Sequence, residues 1–231
     1  MKNLKPYFHS ILFAFTMILF VVFLNQCKNK TESFVSTGPA YFDYKPGDLR
    51  EYDLDSSAYV WTSGQLAKFH FLVKEKVIDT FTDLSGNIAL RVEQYISRDT
   101  GLTYSFYKLN SIYLDAFGSQ RVEENQRYVK MVFPISGKRR WDGNIYNNLG
   151  YHEYSYTGID IGFSNNYLAS TNCVEVTQQD DSTLISRDKQ VEIYTKVKSL
   201  VYKYDKSIEY NPSGQPQGHI VIWNLRRIQK K

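Results

Sequence analysis

Hydrophobic and polar side chains alternate along most of the chain after residue 40, and this two-residue period is typical of β-strands. In AKFHFLVK, residues 67–74, the apolar positions 67, 69, 71 and 73 share one face, and the residues between them are mostly polar. A turn sequence, DLSGN, follows at 83–87, and alternation resumes in IALRVEQYI at 88–96. The pattern therefore predicts a hairpin of Leu66–Phe81 against Asn87–Ser97.

The same alternation recurs up to the C-terminus and predicts one antiparallel domain, residues 41–231, of roughly 8 to 11 strands. A sheet of this size curls or divides into two layers, and the period leaves a half-barrel, a barrel and a sandwich as alternatives. Pro134 is expected to end one strand, because proline has no backbone N–H to donate within a sheet. Further strands are predicted within residues 102–116, 126–133, 151–163, 172–179, 190–210 and 218–228.

Tyrosine is abundant, with 19 Tyr and 14 Phe among 231 residues. Tyrosine favours strands and can bury its ring while its hydroxyl stays in water. The composition therefore supports the all-β prediction, and a face that binds sugar or peptide is a second interpretation of it.

The N-terminal segment has a different pattern. Lys2 and Lys5 precede Ile11–Leu24, a nearly unbroken run of 14 apolar residues. Such a run covers roughly 21 Å as a helix, which is short for a hydrocarbon core of roughly 30 Å. It fits the apolar region of a signal peptide. A plain cleaved signal and a retained single-pass anchor remain alternatives.

Cys27 follows this run in the order Leu24-Asn25-Gln26-Cys27, which resembles the lipobox of bacterial lipoproteins. The resemblance implies cleavage before Cys27 and acylation of its thiol. The expected organisation is then a signal peptide at 1–26, a flexible tether at 27–40 and the β domain at 41–231. Lys28 and Lys30 after the cysteine favour the periplasmic face of the outer membrane over the cell surface.

Three later segments resemble small Bacteroidetes lipoproteins. They are the aromatic-rich opening AYFDYKPGDLREYDLDS from residue 40, the loop VFPISGKRRWDGN at 132–144, and SLVYK at 199–203. The resemblance spans most of residues 40–227 and implies an envelope location and a β architecture, which in some of these proteins is a curved half-barrel. It implies no particular activity.

Charge and cysteine content limit the partners. The chain has 28 basic and 24 acidic residues, and loss of Lys2 and Lys5 with the leader would leave 26 against 24. This balance gives no basic footprint for nucleic acid. Cys173 is expected to be buried and structural. No sequence motif indicates a metal site or a cofactor, so none is expected.

The loop RRWDGNIYNN at 139–148 contains the candidate ligand-binding residues Trp141, Asn144 and Tyr146, because aromatic rings and amides can stack on and hydrogen-bond a sugar. The competing interpretation is a turn in which Trp141 packs onto the core. Catalysis is not expected. Acidic pairs such as Asp53 with Asp55, or Glu123 with Glu124, leave glycan hydrolysis as one alternative.

The sequence therefore predicts a membrane-tethered, non-enzymatic envelope lipoprotein that binds a protein, glycan or lipid partner. A periplasmic carrier of lipid or lipoprotein, with an apolar concavity, is the other alternative.

Overall fold

The structure is a computed structural model that describes residues 38–60, 63–98 and 103–231. The predicted signal peptide, Cys27 and most of the tether lie outside these residues. Within the described ranges, no helix has the length and apolarity needed to cross a membrane. The elements are a 3₁₀ helix, Gly38–Phe42, and the strands β1 Leu49–Tyr59, β2 Leu66–Thr82, β3 Ile88–Ser97, β4 Ser105–Leu114, β5 Gly118–Glu123, β6 Gln126–Val132, β7 Arg140–Asp142, β8 Glu153–Ser164, β9 Ala169–Ser182, β10 Ser186–Thr195, β11 Ser199–Tyr210 and β12 Pro216–Gln229.

The described strands form one twelve-stranded antiparallel sheet in the order β6-β5-β4-β3-β2-β1-β12-β11-β10-β9-β8-β7. Each strand pairs with its neighbour in sequence, except that β1 pairs with β12 and that β6 and β7 lie at opposite edges. Right-handed twist curls so large a sheet. The fold is all-β, and its single sheet is nearly closed into a barrel, which confirms the predicted fold class.

The two edges of the sheet meet at a seam closed largely by side chains. Across it, the Val129 N–H donates to the Gly143 carbonyl at 2.9 Å. The Trp141 indole N–H donates to the Val129 carbonyl at 2.9 Å. The Tyr156 hydroxyl accepts from the Val132 N–H and donates to the Val132 carbonyl, at 3.1 and 2.7 Å. These contacts satisfy edge groups that would otherwise be free to pair with another chain.

One end of the barrel is plugged by the first described residues. Phe42 and Tyr44 are buried there, and the Val197 N–H donates to the Ala40 carbonyl at 2.9 Å. Gly38 lies so close to the Phe133 ring that a Cβ would overlap it. Gly38 and Ala40, at the end of the predicted tether, therefore belong to the packed helix. We call this the closed end.

The predicted hairpin is present as β2 and β3, and β6 ends at Val132, just before Pro134. The long segment 190–210 forms two strands, β10 and β11, joined by a turn. The structure adds a short strand, β7, inside the stretch predicted as a loop, because Arg140–Asp142 pairs with β8 at the seam. Cys173 is fully buried in a hydrophobic cluster with Ile193 and Val201.

The Tyr156 hydroxyl provides a test of the seam. Tyr156→Phe is expected to lower the free energy of unfolding by about 1–3 kcal/mol, because the partly buried Val132 N–H and carbonyl lose the Tyr156 hydroxyl as their partner. Urea unfolding measures this. Tyr151→Phe is the matched control, since Tyr151 is 73% exposed, and a change within about 0.5 kcal/mol is expected. Equal effects of the two variants would contradict the assigned role of the seam.

Candidate functional site

Trp141, predicted as a ligand contact, lies in the seam. Its indole N–H is bonded to Val129, and its ring centroid is 6.1 Å from that of Tyr154 and 4.8 Å from that of Tyr156. The ring is half-buried. Trp141 therefore joins the sheet edges and packs against the core cluster that contains Tyr154 and Tyr156.

Asn144 and Tyr146 have different surroundings. The Asn144 amide donates to the Gly150 carbonyl at 2.9 Å and accepts from the Asn147 amide at 3.1 Å, so it holds its own loop. Tyr146 is 56% exposed, and the Arg127 guanidinium lies 5.0 Å from its ring centroid. Tyr146 and Trp141 line one outer groove with Phe117, and Asn144 does not line it.

A second site, which motif analysis did not find, lies inside the barrel. Strand alternation points Glu75 of β2, Arg121 of β5, Lys130 of β6 and Glu192 of β10 into the interior, where each is buried. Lys203 of β11 lies opposite Glu192 in the strand register. Charged side chains are almost never buried unless they are paired, so their partners are informative.

The interior charges form a connected set of ion pairs. Arg121 Nη2 donates to Glu75 Oε1, and Arg121 Nε lies 2.9 Å from Glu123 Oε1. Lys130 Nζ donates to Glu192 Oε1 at 3.0 Å and lies 3.6 Å from Glu123 Oε2. These contacts join β2, β5, β6 and β10 through the interior. The partners are far apart in sequence, since Lys130 and Glu192 are separated by 62 positions.

The network keeps Glu123, Glu192 and Lys130 ionised. Burial would raise the pKa of Glu123, but Lys130, Lys203 and Arg121 hold that pKa far below its usual range. Burial also opposes ionisation of Glu192, yet Lys130 and Lys203 lower its pKa. Burial would lower the pKa of Lys130, and the two glutamates raise it. Strongly shifted ionisable groups beside a cavity are typical of functional sites and also occur in structural ion-pair networks.

Two cavities adjoin the network. The inner one, of about 50 Å³, is lined by residues that include Glu75, Gln94 and Arg121. The outer one, of about 260 Å³, is lined by residues that include Gln178. The two cavities share four lining residues, which are Lys108, Glu123, Lys130 and Lys203.

Several polar atoms around the cavities have no hydrogen-bond partner among the described residues. They include Glu75 Oε2 and Gln94 Oε1 at the inner cavity and Gln178 Nε2 at the outer cavity. These three residues are 2%, 2% and 4% exposed. A buried polar group without a partner costs roughly 1–3 kcal/mol, so these atoms are available to a polar ligand or to water.

The outer cavity lies toward the end opposite the plug. β5 begins at Gly118, near the 3₁₀ helix, and runs to Glu123. The next residue, Glu124, has a side chain that is 75% exposed and lines the outer cavity. We call this the open end. The cavity is thus reached from one side of the barrel, and the first described residues occupy the other.

A weak signal for the interior site was present in the sequence. Glu75 stands between Val73 and Val77 on the face that alternation assigns to the core. A charge at a core position indicates a buried partner, but a single sequence does not show which one. Among the described residues, no group of three or more His, Cys, Asp or Glu side chains is placed to hold a metal ion.

No protein-family model matches the chain, and no curated protein matches it. One solved structure is a distant neighbour, a "putative exported protein with YmcC-like fold" from Bacteroides fragilis, with 12% sequence identity and a TM-score of 0.39. The match covers 80% of this chain and 97% of that one. Independently of this neighbour, the strand order of the described residues shows an all-β near-barrel.

Proposed function

We propose that this protein is a lipid-anchored binding protein of the bacterial cell envelope, without catalytic activity, and that its ligand is a small polar molecule held in the interior cavities. The observation that carries the proposal is the set of unpartnered buried atoms, Glu75 Oε2, Gln94 Oε1 and Gln178 Nε2, at connected cavities. A bound polar ligand would supply the missing hydrogen bonds. Ligand sites commonly combine a preformed cavity with a few convergent polar groups.

The anchor part of the proposal rests on the sequence. The basic start, the apolar run Ile11–Leu24 and Cys27 are the features of a lipoprotein leader. Two or more acyl chains would give stable attachment, since each buried CH₂ contributes about 0.8 kcal/mol. The described chain begins at the closed end, so attachment through this segment is compatible with a ligand entering at the open end.

The chemistry of the lining favours a polar ligand over lipid. Lys130, Glu123 and Gln178 line the outer cavity, and burying an acyl chain against charged groups would desolvate them without compensation. Binding is also favoured over glycan hydrolysis. Glu123, a member of one proposed acidic pair, has a lowered pKa, whereas a general acid needs a raised one.

The second acidic pair lies on the outer face. His70 Nδ1 is 2.8 Å from Asp55 Oδ1, and His70 Nε2 is 3.8 Å from Asp53 Oδ1. Asp53 also accepts a hydrogen bond from the Tyr167 hydroxyl. These contacts pair the carboxylates with their neighbours and give no specific argument for hydrolysis.

Native mass spectrometry of the protein extracted from its own membrane tests the anchor and the ligand together. The expected chain begins at Cys27, carries diacylglycerol and acyl mass, and retains a bound small molecule. A chain that begins at Met1, or an unmodified Cys27, would disprove the anchor. Freshly extracted protein that holds no small molecule would disprove the binding proposal.

A matched pair of variants locates the ligand in the same experiment. Lys203→Gln changes a cavity-lining ammonium whose side chain is 25% exposed, and a roughly tenfold or greater loss of bound ligand is expected, as for one charge-assisted hydrogen bond. Lys189→Gln is the control on the same strand pair, because its side chain is 47% exposed and bound to Asp180. Equal ligand retention in the two variants would place the ligand elsewhere.

A further inference from the structure

The wall of the barrel at the open end is divided into an apolar and a polar side. Strand pairing aligns inward-facing residues in rows across β2, β1, β12, β11 and β10. Each row changes from mainly apolar on β2, β1 and β12 to polar on β11 and β10. The outer row is Phe69, Ser56, Val221, Asp205 and Gln190, and the next row inward is Phe71, Leu54, Trp223, Lys203 and Glu192.

The apolar side has surface to offer a ligand. Phe69 is 51% exposed although it points to the concave face, and its ring stacks on that of Phe71 with centroids 6.4 Å apart. Trp223 lies in the same row as Phe71, with Leu54 between them, is half-buried, and also lines the inner cavity. The rows that hold this aromatic pair also hold three residues that line the outer cavity, which are Asp205, Gln190 and Lys203. An exposed aromatic pair is a surface that an apolar group can cover at a gain of roughly 25 cal/mol per Å².

The polar side carries both signs of charge in equal number. The outer cavity is lined by three ammonium groups and three carboxylates, those of Lys108, Lys130, Lys203, Glu123, Glu124 and Asp205. A ligand with a single charge would meet as many repulsive as attractive groups. A ligand with separated positive and negative groups can orient each toward its complement.

The outer cavity also limits the size of the charged part of the ligand. Its volume of about 260 Å³ lies below the roughly 300–1,000 Å³ of pockets for drug-sized ligands. From the divided wall, the balanced charges and this volume, and on the basis of the proposed function, we infer that the ligand is a small zwitterion with an apolar side group. This is the chemistry of an amino acid or dipeptide with an aromatic or branched side chain.

Calorimetric titration of the full-length protein in detergent tests this inference with four probes. They are L-leucyl-L-phenylalanine, its N-acetyl form, its C-terminal amide and L-alanyl-L-alanine. The zwitterionic leucyl-phenylalanine is expected to bind most tightly. Each blocked form is expected to bind roughly tenfold or more weakly, because it lacks one charge-assisted contact. Alanyl-alanine is also expected to bind roughly tenfold or more weakly than leucyl-phenylalanine, because its methyl side chains cannot cover Phe69 and Phe71.

Phe69→Ser separates the apolar contact from the charged ones. In this variant the affinity for leucyl-phenylalanine is expected to fall roughly fivefold or more, and the affinity for alanyl-alanine is expected to stay unchanged. Only the larger probe reaches the aromatic pair. Tyr146→Ser, which removes an aromatic ring of similar exposure from the outer groove, is the control and should change neither affinity.

The outcomes distinguish this inference from the proposed function. If the blocked probes bind as tightly as the zwitterion, or if the natively bound molecule carries a single sign of charge, the ligand class is wrong and the binding function stands. If no probe binds and the native protein also holds no small molecule, both are wrong.

Discussion

Arg121→Met is expected to lower the free energy of unfolding by about 3–5 kcal/mol at neutral pH, the cost of leaving one partner of a buried ion pair without the other. The side chains of Arg121 and Glu75 are only 5% and 2% exposed. Without the guanidinium, the Gln94 amide, at 2.5 Å, would be the hydrogen-bond donor that remains to the Glu75 carboxylate among the described residues. Methionine fills much of the volume, so the loss comes mainly from the uncompensated charge.

Urea unfolding followed by circular dichroism measures this loss. The double variant Glu75→Leu with Arg121→Met is expected to recover most of it, because replacing both partners of a buried ion pair by apolar groups is often neutral or stabilising. Arg227→Met is the control, since its side chain is 66% exposed in an ion pair with Glu51, and a change of at most about 1 kcal/mol is expected. A double variant no more stable than Arg121→Met alone would show that the charge is not the source of the cost.

The local features of this fold could be predicted from the sequence because they depend on neighbouring residues. The alternation on either side of DLSGN defines the β2–β3 hairpin, and Pro134 limits β6. The inward positions also follow from the period, as the charge of Glu75 between two valines illustrates. Closure is different, because the choice among half-barrel, barrel and sandwich depends on contacts at the seam, such as Tyr156 with Val132.

The candidate site could not be predicted, because its members meet only after the sheet has curled. Lys130 and Glu192 come from strands that are far apart in the sheet order, and nothing near either residue identifies the other. The loop prediction shows a related limit. Asn144 and Tyr146 are similar candidates in the sequence, but the partner of the Asn144 amide is a backbone carbonyl, and only the loop conformation reveals it.

The interior network also predicts how stability depends on pH. Glu123 and Glu192 have lowered pKa values in the folded protein, and in the unfolded chain a glutamate titrates near 4.3. A lowered folded-state pKa gives stability that is fully present above the unfolded value and is lost as pH falls through the folded one. Stability is therefore expected to be level from about pH 5 to neutral pH and to fall below about pH 5 by up to about 1.4 kcal/mol per pH unit for each of these carboxylates.

Glu123→Gln isolates one carboxylate from this effect. The variant is expected to be less stable than the wild type at neutral pH, because Lys130 and Arg121 lose a nearby charge. Its stability should also fall less steeply below pH 5, because one titrating group with a lowered pKa is gone. Urea midpoints measured from pH 6 to pH 2 test both expectations.

Glu124→Gln is the control for this titration, since it removes the adjacent carboxylate, whose side chain is 75% exposed and forms an ion pair with Lys108 at 3.3 Å. The stability of this variant is expected to fall below pH 5 as steeply as that of the wild type. If the stability of Glu123→Gln and that of the wild type fell equally steeply below pH 5, Glu123 would not be held ionised by the network. The interior charges would then be independent buried groups, and the cavities would lose the fixed array of opposite charges on which recognition of a zwitterion depends.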